Sequence, residues 1–133
     1  MNRRLHRFVW RRADSICEYC RIAQEWDILT FQVDHVIALK HGGRTVADNL
    51  ALACYTCNSL KGPNVAGIDP TTGMVATLFH PRLDLWGNHF EWNGPVLVGL
   101  TPTGRATIAV LGMNASQRVR LRRALIGEGV FPP

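Results

Sequence analysis

At 133 residues, with 47% hydrophobic and 19% charged residues, the chain is long enough for one domain with a moderate core and too apolar to stay disordered. No apolar run approaches the ~20 residues of a membrane span, and Met1–Phe8 lacks the apolar stretch of a secretory signal, so a cytoplasmic protein is expected. The formal net charge is +5, and its cations are thirteen Arg against two Lys, the residue type that pairs bidentately with phosphate or carboxylate.

Residues 2–14 read as a helix. Leu5, Phe8 and Val9 form an apolar stripe, while Arg4, Arg7 and Arg11 share another face. Arg3, Arg4, Arg7, Arg11 and Arg12 crowd this end, and Arg118, Arg120, Arg122 and Arg123 crowd the other. Two basic ends on a small protein suggest a polyanion partner, and a solvated surface is the plainer alternative. The Arg-rich start also imitates a transit peptide, but it runs directly into a cysteine motif.

Residues 28–38 alternate as a strand and carry Asp34 and His35 at consecutive positions. Gly42-Gly43 opens a loop that lasts to Asp48, and Leu50–Ala53 resumes an extended apolar segment. A short helix is expected from about Tyr55–Cys57, stopping near Gly62-Pro63. Asp69–Gly73 reads as a turn, and Asn93-Gly94 is a strong hairpin signal. Thr101-Pro102 reads as N-cap and first residue of a helix to about Leu111, and Asn114 as the cap of a last helix through Ile126. Phe79, Trp86, Phe90 and Trp92 are assigned to the core between hairpin and helices rather than to base stacking, and His80 and His89 to structural roles.

The only cysteines are Cys17, Cys20, Cys54 and Cys57, two Cys-x2-Cys turns with thirty-three residues between them. Each turn can offer two thiolates to one tetrahedral Zn²⁺. Disulfides are the alternative, weakened by the missing secretory signal, and a redox pair would need only one such motif. Four thiolates leave no open coordination position, so this zinc would be structural. It would clamp the two ends of a segment that holds Asp34, His35 and Asn49, with Asn58 and Lys61 just beyond. Taken singly, each has an ordinary reading: a satisfied polar histidine, a turn, a helix cap, a solvated lysine.

Taken in order, these residues carry a resemblance. Cys-x2-Cys, Val-Asp-His-Val, Gly-Gly, Asp-Asn-Leu and then Cys-x2-Cys-Asn-x2-Lys-Gly resembles the HNH endonucleases with a four-cysteine zinc knuckle. The motif core covers residues 17–62 of a single domain spanning 1–133, with 64–133 as a C-terminal extension. The resemblance implies an α+β fold: a small ββα-metal core stapled by the four-cysteine zinc site, an Arg-rich N-terminal helix, and a C-terminal hairpin plus two helices. It implies Asp34 and Asn58 as ligands of a catalytic metal, His35 as general base, and Asn49 as the residue holding the imidazole. Asn58 stands where some family members have His, which removes an imidazole from the metal shell.

The chemistry of these side chains agrees. Asp and Asn offer oxygen, which suits Mg²⁺ or Mn²⁺ better than Zn²⁺. An imidazole, with an unperturbed pKa near ~6.5, can take a proton from water around neutral pH. Asn58 stands near a helix start, where backbone N–H groups favour an anion. Lys61 would add positive charge, and His41 is a weaker candidate for a phosphate contact. Neighbours in an ideal strand point to opposite faces, so Asp34 and His35 can serve one site only if the strand ends, bends or bulges there. The expected activity is DNA phosphodiester hydrolysis leaving 5′-phosphate and 3′-hydroxyl ends, with Arg3, Arg4, Arg7 and Arg11 on backbone phosphates. A homodimer would suit a cutter of both strands. The rival is a zinc-stapled nucleic-acid-binding module without catalysis.

Overall fold

The Asn2 side chain accepts a hydrogen bond from the Leu5 N–H at 2.8 Å and so starts the first helix, α1 (Arg3–Arg12). In this computed structural model, which describes residues 1–133, α1 buries Val9 completely and packs Leu5 and Trp10 on the core. Trp10 stacks on Phe31 with ring centroids 6.2 Å apart. At the helix end Arg12 turns inward and donates to Ala47 O at 2.9 Å and Leu50 O at 2.6 Å. That leaves it holding the helix down rather than facing solvent.

The first ribbon pairs β1 (Gln32–His35) with β2 (Leu50–Ala53) antiparallel, Asp34 opposite Ala51 and His35 opposite Leu50. The strand is shorter than the 28–38 expected from alternation, and Gln24 is the reason. Its amide donates to Leu29 O at 3.0 Å and accepts from Phe31 N–H at 2.7 Å, while Asp27 accepts from Leu29 N–H at 3.0 Å. These side chains take the backbone groups that a longer ladder would need. All four residues of β2 are buried. On its side away from β1, Glu18 behaves as a strand residue: its N–H donates to Leu52 O at 2.9 Å and its Oε2 accepts from Leu52 N–H at 2.8 Å. Arg82 pairs with the other Glu18 oxygen and also reaches Leu50 O.

Directly after β2 comes α2 (Tyr55–Lys61), capped by Cys54, whose Sγ accepts from Cys57 N–H at 3.4 Å. It stops at Gly62, where a φ of 50° breaks the helical path at low cost only for glycine.

The C-terminal half holds two more hairpins. β3 (Ala66–Ile68) and β4 (Val75–Thr77) flank the Asp69–Gly73 turn, and alternation over only three residues each hid them from sequence inspection. A one-turn helix α3 (Trp86–His89) leads into β5 (Phe90–Asn93), which pairs with β6 (Val96–Gly99) across the expected Asn93-Gly94 turn. Helix α4 (Pro102–Val110) begins with Thr101 accepting from Gly104 N–H at 3.0 Å, as expected. Helix α5 (Ser116–Gly127) is capped at Ala115 instead of Asn114. The Asn114 amide is occupied elsewhere, accepting from Leu97 N–H at 2.9 Å and donating to Leu97 O at 2.8 Å, which completes an edge of β6.

One cluster of 22 buried residues runs through both halves, from Val9 and the four cysteines to Leu111, Met113 and Leu125. Phe79 is central, edge-on to Phe90 at 5.4 Å and to Tyr19 at 6.3 Å. These rings are core, as assigned from sequence. His80 accepts at Nδ1 from Arg82 N–H, and His89 sits 2.6 Å from Thr101 Oγ1, both structural. Buried Asp69 pairs with the half-buried Arg105 at 3.0 and 2.9 Å and ties the β3–β4 turn to α4. No helix is long and apolar enough to cross a membrane.

Candidate active site

The four cysteines meet at one point. Their Sγ atoms all lie within 4.8 Å of one another, every one is buried, and none forms a disulfide. The Cys20–Cys54 separation is 3.8 Å. Four Zn–S bonds of about 2.3 Å in a tetrahedron give S–S edges of about 3.8 Å, so the arrangement fits that ion. The first turn needs a left-handed residue, Arg21 with φ 67°, and is closed by Cys17 N–H on Ile22 O at 2.9 Å. Burial pushes the Cys17 and Cys57 thiols up, while hydrogen bonds from Cys17, then Cys54 and Cys57, hold Cys20 down. A cation is what such a buried set needs to ionise fully. The group is therefore a zinc or other metal site.

Asp34 and His35 close β1, and the strand ends at His35. Pairing is regular to that last residue, so the two side chains part. Asp34 faces α2, where Lys61 Nζ lies 3.6 Å from its Oδ2. That Oδ2 is buried and has no hydrogen-bond partner. Burial raises the Asp34 carboxyl above the usual range, against the pull of the Lys61 charge. That oxygen accepts no hydrogen bond and has the Lys61 ammonium as its charge partner, and as a hard carboxylate donor it suits Mg²⁺ or Mn²⁺ better than Zn²⁺.

Lys61, expected from sequence to add positive charge at the site, does not have the solvated side chain of its ordinary reading. It is almost wholly buried, and its ammonium donates to Val36 O at 3.0 Å, Gly62 O at 3.4 Å and His35 O at 3.5 Å. It therefore fastens α2 to the end of β1. Asn58 lies one turn earlier on the same face of α2, half-buried. The Asn58 N–H is already spent on Cys54 O at 2.9 Å, and the first turn of α2 points at the cysteine cluster. The anion-favouring helix start expected near Asn58 is thus directed to the thiolates.

The side chain of His35 goes the other way. Its Nε2 is 2.8 Å from Thr45 Oγ1 on the exposed loop between the strands. Asn49, expected to hold the imidazole, makes no hydrogen bond to it. Its Oδ1 accepts from Ile37 N–H at 2.9 Å, and its Nδ2 donates to Ile37 O and Arg44 O, each at 2.9 Å. An amide offers one acceptor and two donors, and all are used to fold the loop that presents Thr45. Gly43 packs against Ile37 O and the Asn49 amide with no room for a Cβ. Nothing in a polar loop marked Thr45 beforehand; only the fold reveals it.

The basic residues divide into two sorts. Arg3, Arg4, Arg7 and Arg11 are exposed along α1, and Lys40, His41 and Arg44 are exposed on the loop beside His35. At the other end, Arg122 is buried and donates to Pro95 O at 2.7 Å and Met113 O at 2.8 Å. Arg118 donates to Cys57 Sγ at 2.9 Å. Half of the C-terminal Arg cluster is therefore structural, and only Arg120 and Arg123 are exposed there.

Residues 17–64, the stretch that holds the four cysteines and the catalytic candidates, match the family model described as HNH endonuclease. The chain is also 26% identical over 117 residues to the Septu protein PtuB of Bacillus thuringiensis, covering 86% of this chain and 43% of that one. It spans less than half the length of this curated relative. No solved structure matches it.

Proposed function

We propose that this chain is a metal-dependent endonuclease that hydrolyses DNA phosphodiester bonds at Asp34, His35 and Asn58. The observation that supports this most is the buried Oδ2 of Asp34, without a hydrogen-bond partner, one residue before a half-exposed imidazole at the end of β1 within the matched segment. Mg²⁺ or Mn²⁺ held by Asp34 and Asn58 would supply charge neutralisation at the phosphoryl and leaving oxygens.

The chain's own residues do the rest. In the tautomer whose Nε2–H donates to Thr45 Oγ1, 2.8 Å away, the imidazole lone pair is on Nδ1 and would receive the proton of the attacking water. Lys61 and Asn49 are positioning residues: one fixes the end of β1 against α2, the other folds the loop that carries Thr45. Arg3, Arg4, Arg7 and Arg11 bind backbone phosphates.

The test is nicking of supercoiled plasmid with Mg²⁺ or Mn²⁺, wild type against His35→Ala. Wild type cuts and the variant loses about 10²–10⁴-fold. One observation favours a non-catalytic binding module: the Lys61 ammonium already sits 3.6 Å from Asp34 and weakens its attraction for a second cation. If both proteins bind DNA and neither cuts with any divalent ion, that reading replaces the nuclease.

A further inference from the structure

Arg118 reaches from α5 across 61 residues of sequence to the metal site. Its Nη2 donates to Cys57 Sγ at 2.9 Å and lies 4.0 Å from Cys54 Sγ. Its Nη1 is anchored on Leu111 O at 2.7 Å and Gly112 O at 3.3 Å, carbonyls at the C-terminal end of α4. The guanidinium is half-buried between these carbonyls and the sulfurs, and an arginine keeps its charge there. A small cavity of about 80 Å³ between Cys20, Cys54 and Thr56 opens beside the sulfurs, and Arg118 forms part of its wall.

Charge explains why an arginine is needed there. Four thiolates around one divalent cation carry a net −2, and burying that charge without compensation is costly. The N–H of Cys57 answers one sulfur from within the knuckle. Nothing else in the segment 17–64 brings a formal positive charge to the sulfurs within hydrogen-bonding distance. We propose that Arg118 is the counter-cation of the four-cysteine site, so that the C-terminal extension holds the metal in and the metal holds the extension down. The anchoring of Nη1 on two carbonyls pre-orients the planar fork so that Nη2 faces the sulfur, a fixed geometry that a flexible ammonium supplies less well.

The inference rests on the cysteines binding metal, which elemental analysis of the isolated protein checks separately. With metal present, its release to a chromogenic chelator is timed in wild type, Arg118→Lys and Arg118→Gln. Loss of an outer partner of a metal ligand typically costs 10–100-fold in affinity, so the Gln variant should release metal about 10–100-fold faster, with Lys between it and wild type. Release from Gln at the wild-type rate overturns the proposal, and so does equal loss from Lys and Gln, which would reduce Arg118 to packing. Should Arg118→Gln give no folded protein, amide exchange on wild type decides. Residues 116–127 must lose protection as the chelator takes the metal, and protection that outlasts the metal overturns the coupling.

Discussion

The side-chain amide of Asn49 pairs with Ile37 as a strand residue would, taking its N–H and its C=O at 2.9 Å each. A side chain thus continues the β1–β2 ladder past the point where the backbone leaves it. The loop that carries Thr45 to His35 hangs on this pair. Asn49→Ala leaves Ile37 and Arg44 backbone groups without partners and should cost about 1–3 kcal/mol in a denaturant titration. Cleavage should fall as well. Asn49→Asp sets a carboxylate oxygen against the Ile37 and Arg44 carbonyls that the amide had bonded and should cost at least as much as Asn49→Ala in both measurements.

Thr45→Val removes one hydroxyl and preserves shape. A net hydrogen bond is worth about 0.5–1.5 kcal/mol, so single-turnover cleavage should fall roughly 2- to 13-fold, with the melting temperature almost unchanged. A drop as deep as that of His35→Ala would give the hydroxyl a chemical role larger than orienting the ring. No change would mean that the Thr45 contact does not serve the reaction.

Removing metal from the cysteine site should be far more damaging than removing the proposed ligand Asp34. Structural zinc contributes on the order of 10–16 kcal/mol in small domains. Cys17→Ser or Cys57→Ser should therefore lose the cooperative thermal transition followed by circular dichroism. Asp34→Ala should keep a cooperative transition while losing cutting.

Acid should unfasten the C-terminal half through Asp69. Its hydrogen bonds from Arg105, with Thr71 and Thr72 adding, lower its pKa to about 2. A depressed carboxylate contributes stability that is complete above the unfolded value, near ~3.9, and is lost as pH falls towards about 2. Stability of wild type measured between these pH values should fall with acid, and Asp69→Asn should be lower at neutral pH with a shallower slope in that window. Equal slopes would mean that other carboxylates govern the acid limb.

Where local chemistry decides structure, the elements were legible in advance. Gly62-Pro63, Asn93-Gly94 and Thr101-Pro102 each act through backbone preference, and the helix stop, hairpin and helix start fall where those residues stand. The cysteine spacing was legible because tetrahedral ligation needs only two turns and a closed loop. Contacts between distant side chains were not. Nothing in the sequence distinguishes Arg118, which holds a sulfur, from Arg120, which is exposed, because the difference is one of helix face and partner. Lys61 misled for the same reason: its neighbours on the chain allow solvent, but three carbonyls and Asp34 surround its ammonium. Asn114 could cap a helix or brace a strand, and the nearness of Leu97 decided it.

Glu18 also bears on how the molecule behaves among copies of itself. A two-stranded ribbon ordinarily presents a bare row of donors and acceptors that recruits further strands into fibrils. Along β2 that row is filled, because Glu18 takes both groups of Leu52, and Arg12 and Arg82 take Leu50 O. The chain can therefore keep four consecutive apolar residues extended without offering that edge as a template for aggregation.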